Sequence, residues 1–379
     1  MKFLYIVTYI CATNAFSIYK SQQIPMRASI KNKRFFFHSS APKARTSEIN
    51  MKYKFSNVPC GDELDDQCLA LCDDDSCQVM SKTTKDRIEM SLYIIVWFVM
   101  STAYNIQNKI RLNMINLPWF QSTISLFTGS VMVLLMWLTK LRKSPKMNKQ
   151  VLQGYFPIAA CHALGHVAAV MSVSCGAVSF TQIVKAAEPV FTCVLSSIIL
   201  GAYITRRTLF SLFVIVFGVS LASMSELSFS WLSFTTAMLS NLAFGSRNIF
   251  SRMALNKPKG ENMNAGNLFG VLTIMSFLIA LPFAIVFEGK YVATKLSISA
   301  IKVSMLTGLY FYIYNEAAML ALKHMNPVTH AVTNTLKRIV ILISCIVFFN
   351  TPLTTNGVFG SIIALYGSYI YSISKNVSK

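Results

Sequence analysis

The sequence predicts an all-α polytopic membrane protein, with ten transmembrane helices arranged as two inverted repeats of five. Three observations carry that prediction. The 379-residue chain is 54% hydrophobic and only 13% charged, with a mean hydropathy of +0.49. Its acids are gathered at the front: every Asp lies at or before Asp86, and beyond Glu89 the carboxylates are Glu188, Glu226, Glu261, Glu288 and Glu316. Apolar runs of spanning length then follow one another from residue 90 onward, with basic residues concentrated in alternate loops. A soluble fold needs a charged exterior, which these roughly 290 residues lack. The scarcity of acids also removes paired-carboxylate hydrolysis and Asp-based metal clusters.

Residues 1–17 have the form of a secretory signal peptide, with Lys2, an apolar run Phe3–Cys11 and small residues around Ala12 to Ala15. That run is too short to span a bilayer comfortably. Residues 18–56 form a transit-peptide-like basic segment, rich in Lys, Arg, Ser and Asn, with Glu48 as its one acid. A signal followed at once by a transit-like stretch is a two-part address, as for plastids bounded by extra membranes. A signal peptide on a disordered basic tail is the plainer alternative. Residues 57–89 carry Asp62, Glu63, Asp65, Asp66 and Asp73 to Asp75 beside Cys60, Cys68, Cys72 and Cys77. These spacings fit no zinc pattern, and such dense like charge predicts a disordered acidic segment. Cys161, Cys175, Cys193 and Cys345 lie in apolar runs and read as small core residues.

The transporter-sized body, residues 90–379, divides into ten candidate spans. The first five are Leu92–Ile110, Leu117–Leu138, Val151–Ser172, Ala177–Leu200 and Leu209–Met224. The second five are Phe229–Phe250, Leu268–Val286, Ala300–Leu322, Val328–Phe349 and Gly357–Ser374. Loops on one side hold Lys140, Arg142, Lys143, Lys146, Lys149, Arg206, Arg207, Arg252, Lys257, Lys259, Lys323, Lys375 and Lys379. The opposite loops hold only Lys109, Arg111, Lys290 and Lys295, with Lys302 at a span edge. By the positive-inside rule both termini share the basic side. An odd number of spans per half inverts its orientation, which is what an inverted repeat requires.

Charge inside a spanning helix costs from about 2.5 to more than 10 kcal/mol and marks a functional site. Lys185, Glu188, Arg247, Glu316, Lys337 and Arg338 all fall inside candidate spans. Lys185 and Glu188 are three apart, so the sequence suggests an i,i+3 pair. Glu188, Arg247 and Glu316 are expected to form supporting ion pairs that hold helices together. Lys337 and Arg338 are neighbours and point about 100° apart on a helix, so one acid does not easily satisfy both. Three cations, Lys185, Lys337 and Arg338, therefore exceed the acids beside them. A compact dianion such as phosphate suits the excess, because Arg offers a planar fork and Lys a point charge. His162 reads as a seam residue, and Phe244 and Tyr314, taken alone, read as packing rather than as contacts for a small molecule.

The stretches around these residues are Tyr104-Asn-Ile-Gln-Asn-Lys109, Leu164-Gly-His-Val167, Ser179-Phe-Thr-Gln-Ile-Val-Lys-Ala-Ala-Glu-Pro189, Tyr312-Ile-Tyr-Asn315, Asn326-Pro-Val-Thr-His330 and Leu336-Lys-Arg338. Together they resemble the plastid phosphate translocators, the triose-phosphate/phosphate branch of the drug/metabolite transporter superfamily. The resemblance covers roughly residues 90 to 375 and none of the leader. It implies a ten-helix inverted-repeat antiporter, not an enzyme, exchanging phosphate for triose phosphate, 3-phosphoglycerate or phosphoenolpyruvate. It further implies that Lys185, Lys337 and Arg338 bind phosphate, that His166 and Tyr314 add hydrogen bonds, and that Phe244 walls the carbon skeleton. Neither a metal, a cofactor nor a nucleic acid partner is implied. One departure bears on substrate preference: Ala169 stands where members keep a Ser or Thr hydroxyl. A nucleotide-sugar carrier of the secretory pathway is the nearest rival, and a channel or a membrane-embedded enzyme the more distant ones.

Overall fold

A computed structural model describes residues 54–56, 69–73, 76–80, 82–201, 203–226, 229–255, 260–322, 325, 327–351 and 354–374. The expected signal peptide over 1–17 and nearly all of the basic segment over 18–56 lie outside the described residues. So do Lys257, Lys259, Lys323, Lys375 and Lys379 of the basic loops, and the side chains of Arg252 and His330. The chain divides into two units, Met1–Ile88 and Glu89–Lys379.

In the first unit three short antiparallel strands pair in the order β1, Lys54–Ser56, β2, Leu69–Asp73, and β3, Ser76–Met80. Leu69 faces Met80 and Asp73 faces Ser76 in register. The disorder expected over 57–89 therefore does not hold for β2 and β3. The physical reason is local. Leu69-Ala-Leu-Cys72 and Cys77-Gln-Val-Met80 are uncharged runs around a compact Asp/Ser cluster, which is a hairpin pattern. The acids flank the strands rather than interrupt them.

The second unit is built of helices joined by loops. The helices are α1, Lys82–Met114, which starts before Glu89, α2, Pro118–Leu138, α3, Lys149–Cys175, α4, Val178–Lys185, α5, Glu188–Leu200, and α6, Arg206–Met224. They continue with α7, Trp231–Leu255, α8, Ala265–Lys295, α9, Ile298–Leu322, α10, Pro327–Phe349, and α11, Thr355–Ser374. Helix starts are set by ordinary capping chemistry. Pro118 opens α2 at the position where its missing N–H is no loss. Asn148, Thr205 and Asn264 cap α3, α6 and α8 by accepting from Val151, Thr208 and Asn267 backbone N–H groups. Gly201, at φ 63°, closes α5 in the left-handed conformation that favours glycine.

Every predicted span falls on helix, and one of them differs in form. The continuous run expected over Ala177–Leu200 is broken into α4 and α5 at Ala186 and Ala187. Pro189 is the cause: it has no N–H to give, and its ring would strike the Lys185 carbonyl of a continuing helix. The chain turns through tight contacts instead, Ala186 N to Ile183 O at 3.0 Å and Ala187 N to Val184 O at 3.1 Å. Among the described residues six segments are long and apolar enough to cross a membrane: Pro118–Leu138, Lys149–Cys175, Val178–Leu200, Arg206–Met224, Ala265–Lys295 and Val332–Phe349.

At the second and fifth places of the two groups the corresponding helices pack together: α2 lies along α8, and α6 lies along α11. The second seam is backbone-close. A Cβ on Gly218 would collide with the backbone nitrogen of Ala364, one on Gly360 with that of Ala222, and one on Gly367 with that of Ile215. Small residues let helix backbones approach where lipid removes the usual hydrophobic driving force. Backbone atoms cannot yield as a side-chain tip can. Gly218→Val is therefore expected to cost more than the about 1–3 kcal/mol of ordinary overpacking. Thermal unfolding of the detergent-purified protein checks this, with Gly154→Ala, whose added methyl meets nothing within 4 Å, as the unperturbed control.

Candidate functional site

Nine of the helices surround a cavity of about 1100 Å³ in the helical body. Its wall brings together all six residues expected to contact a ligand: Lys185 of α4, Lys337 and Arg338 of α10, His166 of α3, Tyr314 of α9 and Phe244 of α7. Residues far apart in sequence thus converge because helices of both groups of five contribute one face each.

The helix break decides the electrostatics. With α4 ended at Lys185 and α5 begun at Glu188, the expected i,i+3 pair does not form. Glu188 instead accepts from Arg338 Nη2 at 2.7 Å, across the two groups of helices. Lys185 Nζ donates to Ser240 Oγ at 3.0 Å and sits 4.6 Å from the centre of the Phe244 ring. Ser240 Oγ in turn donates to the Gly165 carbonyl at 2.9 Å. Gly165 is required here: a Cβ would stand 2.9 Å from the Phe244 ring. The absence of a side chain lets that ring lie against α3.

Lys337 takes the other direction, as adjacent residues on a helix must. Its Nζ lies 5.1 Å from the Trp97 ring centre and 5.9 Å from that of Tyr314. Neither lysine forms an ion pair among the described residues, where the pairs are Arg142–Glu316, Lys146–Glu261 and Arg338–Glu188. Cation–π contact stabilises an ammonium by about 0.5–2 kcal/mol without neutralising it.

Arg247 departs from its expected role. It has no carboxylate partner among the described residues; its Nη1 lies 3.1 Å from His162 Nδ1 and its Nη2 donates to Asn248 Oδ1 at 3.2 Å. Its guanidinium carbon is 4.8 Å from the Phe244 ring centre, and the residue lines the cavity. The sequence reading erred because it assumed that a buried cation finds an acid, whereas a ring and an imidazole receive this one. Glu316 does pair, but away from the cavity. It holds Arg142 from the α2–α3 loop and accepts from the Tyr312 hydroxyl at 3.2 Å.

The cavity therefore carries four cations, Lys185, Arg247, Lys337 and Arg338, against one carboxylate, Glu188, a formal excess of three positive charges with histidines uncounted. Five polar atoms of its lining are buried without a partner: Ser101 Oγ, Asn108 Oδ1 and the three nitrogens His162 Nε2, His166 Nε2 and Arg338 Nη1. An unmade hydrogen bond costs about 1–3 kcal/mol per group. Together these groups form a place where an anion with several acceptor oxygens would be favourably held. Among the described residues no cluster of three or more His, Cys, Asp or Glu is placed to hold a metal.

Sequence reasoning missed Trp97, Ser240 and Gly165. Ser240, Phe244 and Arg247 do stand at i, i+4 and i+7, one face of a helix, and that spacing was the available signal. Trp97 offered none beyond its place in an apolar run.

A polytopic helical body with a cationic cavity at its centre defines an integral membrane protein with an anion-attracting interior. Residues 88–372 match the Triose-phosphate Transporter family, and the chain belongs to that family. The resemblance drawn from the motifs is thereby borne out. A chloroplastic phosphoenolpyruvate/phosphate translocator 3 of Oryza sativa subsp. japonica is 38% identical over 291 residues, covering 75% of this chain and 74% of that protein. A chloroplastic triose phosphate/phosphate translocator of Spinacia oleracea is 35% identical over 292 residues, covering 75% and 71%. A chloroplastic glucose-6-phosphate/phosphate translocator 2 of Arabidopsis thaliana is 33% identical over 306 residues, covering 79% and 78%.

The Glu188–Arg338 pair admits a direct test. Glu188→Gln strands a buried guanidinium and is expected to destabilise the protein by about 3–5 kcal/mol, whereas Glu188→Gln with Arg338→Met removes both charges and recovers most of that loss. Unfolding in detergent of the single and double variants compares the two.

Proposed function

We propose that this chain is an antiporter exchanging inorganic phosphate for phosphorylated C3 compounds, namely triose phosphate, 3-phosphoglycerate or phosphoenolpyruvate, across a plastid membrane. The plastid is of the apicoplast type, which the two-part leader supports. In this reading ten spans form two inverted halves that rock around a central site. Lys185, Lys337 and the free Nη1 of Arg338 hold the phosphoryl group. His166 and Tyr314 add hydrogen bonds, and Phe244 walls the carbon skeleton. The carrying observation is the cationic excess of the cavity, in which both lysines rest on rings rather than on acids. The relatives named as phosphate translocators support the same reading, and none of their names describes an enzyme.

The charge balance gives a reason for strict exchange. Closing an empty cavity to water would raise the mutual repulsion of its cations as the local dielectric falls. A bound dianion offsets most of that rise, so the loaded carrier reorients and the empty one does not. Reconstituted into liposomes, Lys185→Ala, Lys337→Ala and Arg338→Ala are each expected to lose phosphate exchange by about a hundredfold, as for loss of about 3 kcal/mol from a charged hydrogen-bonding group. Near-normal exchange in all three would remove the clamp.

A second reading concerns cargo size. The cavity volume of about 1100 Å³ exceeds what a three-carbon phosphate fills, and Ala169 offers no hydroxyl at its own place on the wall. Hexose phosphate exchange is accordingly the alternative. Counter-flow of labelled phosphate against C3, C5 and C6 phosphates decides between them, and vesicles lacking any internal counter-substrate are expected to release label far more slowly than phosphate-loaded ones. Equal release would refute the gating argument.

A further inference from the structure

A second cavity, of about 520 Å³, opens between α6, α7 and the break that precedes α5. It has a different character. Its walls are Val216, Val219, Phe229, Phe234 and Met238, and no charged residue lines it. Its mouth carries Met224, 88% exposed, and Trp231, 72% exposed, on a body whose surroundings are hydrocarbon. Its floor is Ala187, in the break between α4 and α5 and next to the Glu188 that holds Arg338. Two hydroxyls interrupt this apolar lining: Ser220 is exposed, whereas Ser223, 7% exposed, has a buried hydroxyl with no hydrogen-bond partner.

From the apolar walls and that hydroxyl we infer that the crevice is a binding site for a membrane glycerolipid, one acyl chain filling the apolar part and an ester carbonyl accepting from Ser223 Oγ. The uncharged lining keeps a phosphate headgroup outside. Ser223 lies in the last turn of α6 and Trp231 at the start of α7, and a Trp at a helix end belongs at the level where headgroup meets hydrocarbon. Ester carbonyls lie at that level too. A free fatty acid would bring a charge to an uncharged site, and a fully apolar ligand would leave the hydroxyl orphaned. A lipid seated there packs against Ala187 and supports the broken segment that positions Lys185 and Glu188. This inference rests on the membrane placement of the helical body and not on the identity of the cargo.

The test uses the full chain in phosphatidylcholine liposomes containing a phosphatidylcholine with a photoreactive diazirine on one acyl tail. After illumination, peptide mapping is expected to place labels at Val216, Phe234 and Met238 above the level at Phe283 and Phe287, exposed apolar residues of α8. Ser220→Trp, which fills the crevice from its exposed wall, is expected to reduce the first labels by about tenfold, as for a few lost buried methylenes, and to leave the α8 labels unchanged. Ser223→Ala keeps the volume and is expected to abolish any preference for the ester-linked probe over its ether-linked analogue. Equal labelling around the whole body, or labelling indifferent to both substitutions, overturns the site. So does crosslinking between two copies of the chain through these residues. Phosphate counter-flow in the same vesicles reports separately on the cargo reading.

Discussion

The structure turns on positive charge held in an apolar body without neutralisation. Four cations line the central cavity and one carboxylate answers them. What steadies the remainder is mostly aromatic: Phe244 beneath Lys185 and Arg247, Trp97 and Tyr314 beside Lys337. A ring face attracts a cation but leaves its charge and its N–H groups available to an acceptor. A carboxylate in the same position would have satisfied the lysine and closed the site. Aromatic support is thus the arrangement that holds a cation in place while keeping it receptive.

The contacts that fix these cations cross between the two groups of helices. Lys185 of α4 leans on Ser240 and Phe244 of α7, Glu188 of α5 holds Arg338 of α10, and His162 of α3 meets Arg247 of α7. The break at Ala186 and Ala187 makes this possible. On a continuous helix Lys185 and Glu188 would have faced one way and satisfied each other. Separated by the break, each reaches a partner in the other group, and one broken segment supplies both an ammonium held without an acid and a carboxylate fixed by Arg338. Proline at residue 189 is therefore as consequential for the cavity as the charged residues beside it.

Much of this was legible in the sequence, for reasons that differ from residue to residue. The apolar runs fall on helices because spanning length and composition are dictated by the bilayer. Lys185, Lys337 and Arg338 stood out because a cation in such a run is costly enough to need a reason. Their divergence followed from helical geometry alone. The partners were harder. A cation met by Phe244 or Trp97 leaves no signature, since aromatic residues are common in apolar spans whether or not they serve a charge. Arg142 looked like one more basic loop residue, yet it reaches Glu316 on α9 through the fold of the α2–α3 loop. The β2–β3 hairpin was hidden by charge: nine acids in residues 57–89 drew attention away from two uncharged runs.

Hydropathy itself carries a further message once the cavity is known. Among the described residues six segments are apolar enough to cross a membrane by composition, and α1, α7, α9 and α11 are not among them. All four of those helices line the cavity, with residues such as Asn105, Arg247, Asn315 and Ser368. The two helices that contribute nothing to its wall, α2 and α6, are both among the apolar six. A span that faces lipid on one side and packed helix on the other has no use for polar side chains, whereas one that faces a hydrated cavity must keep them. The separation is not complete: α3, α4, α5, α8 and α10 line the same cavity, and the cations Lys185, Lys337 and Arg338 sit on segments that remain apolar enough to span.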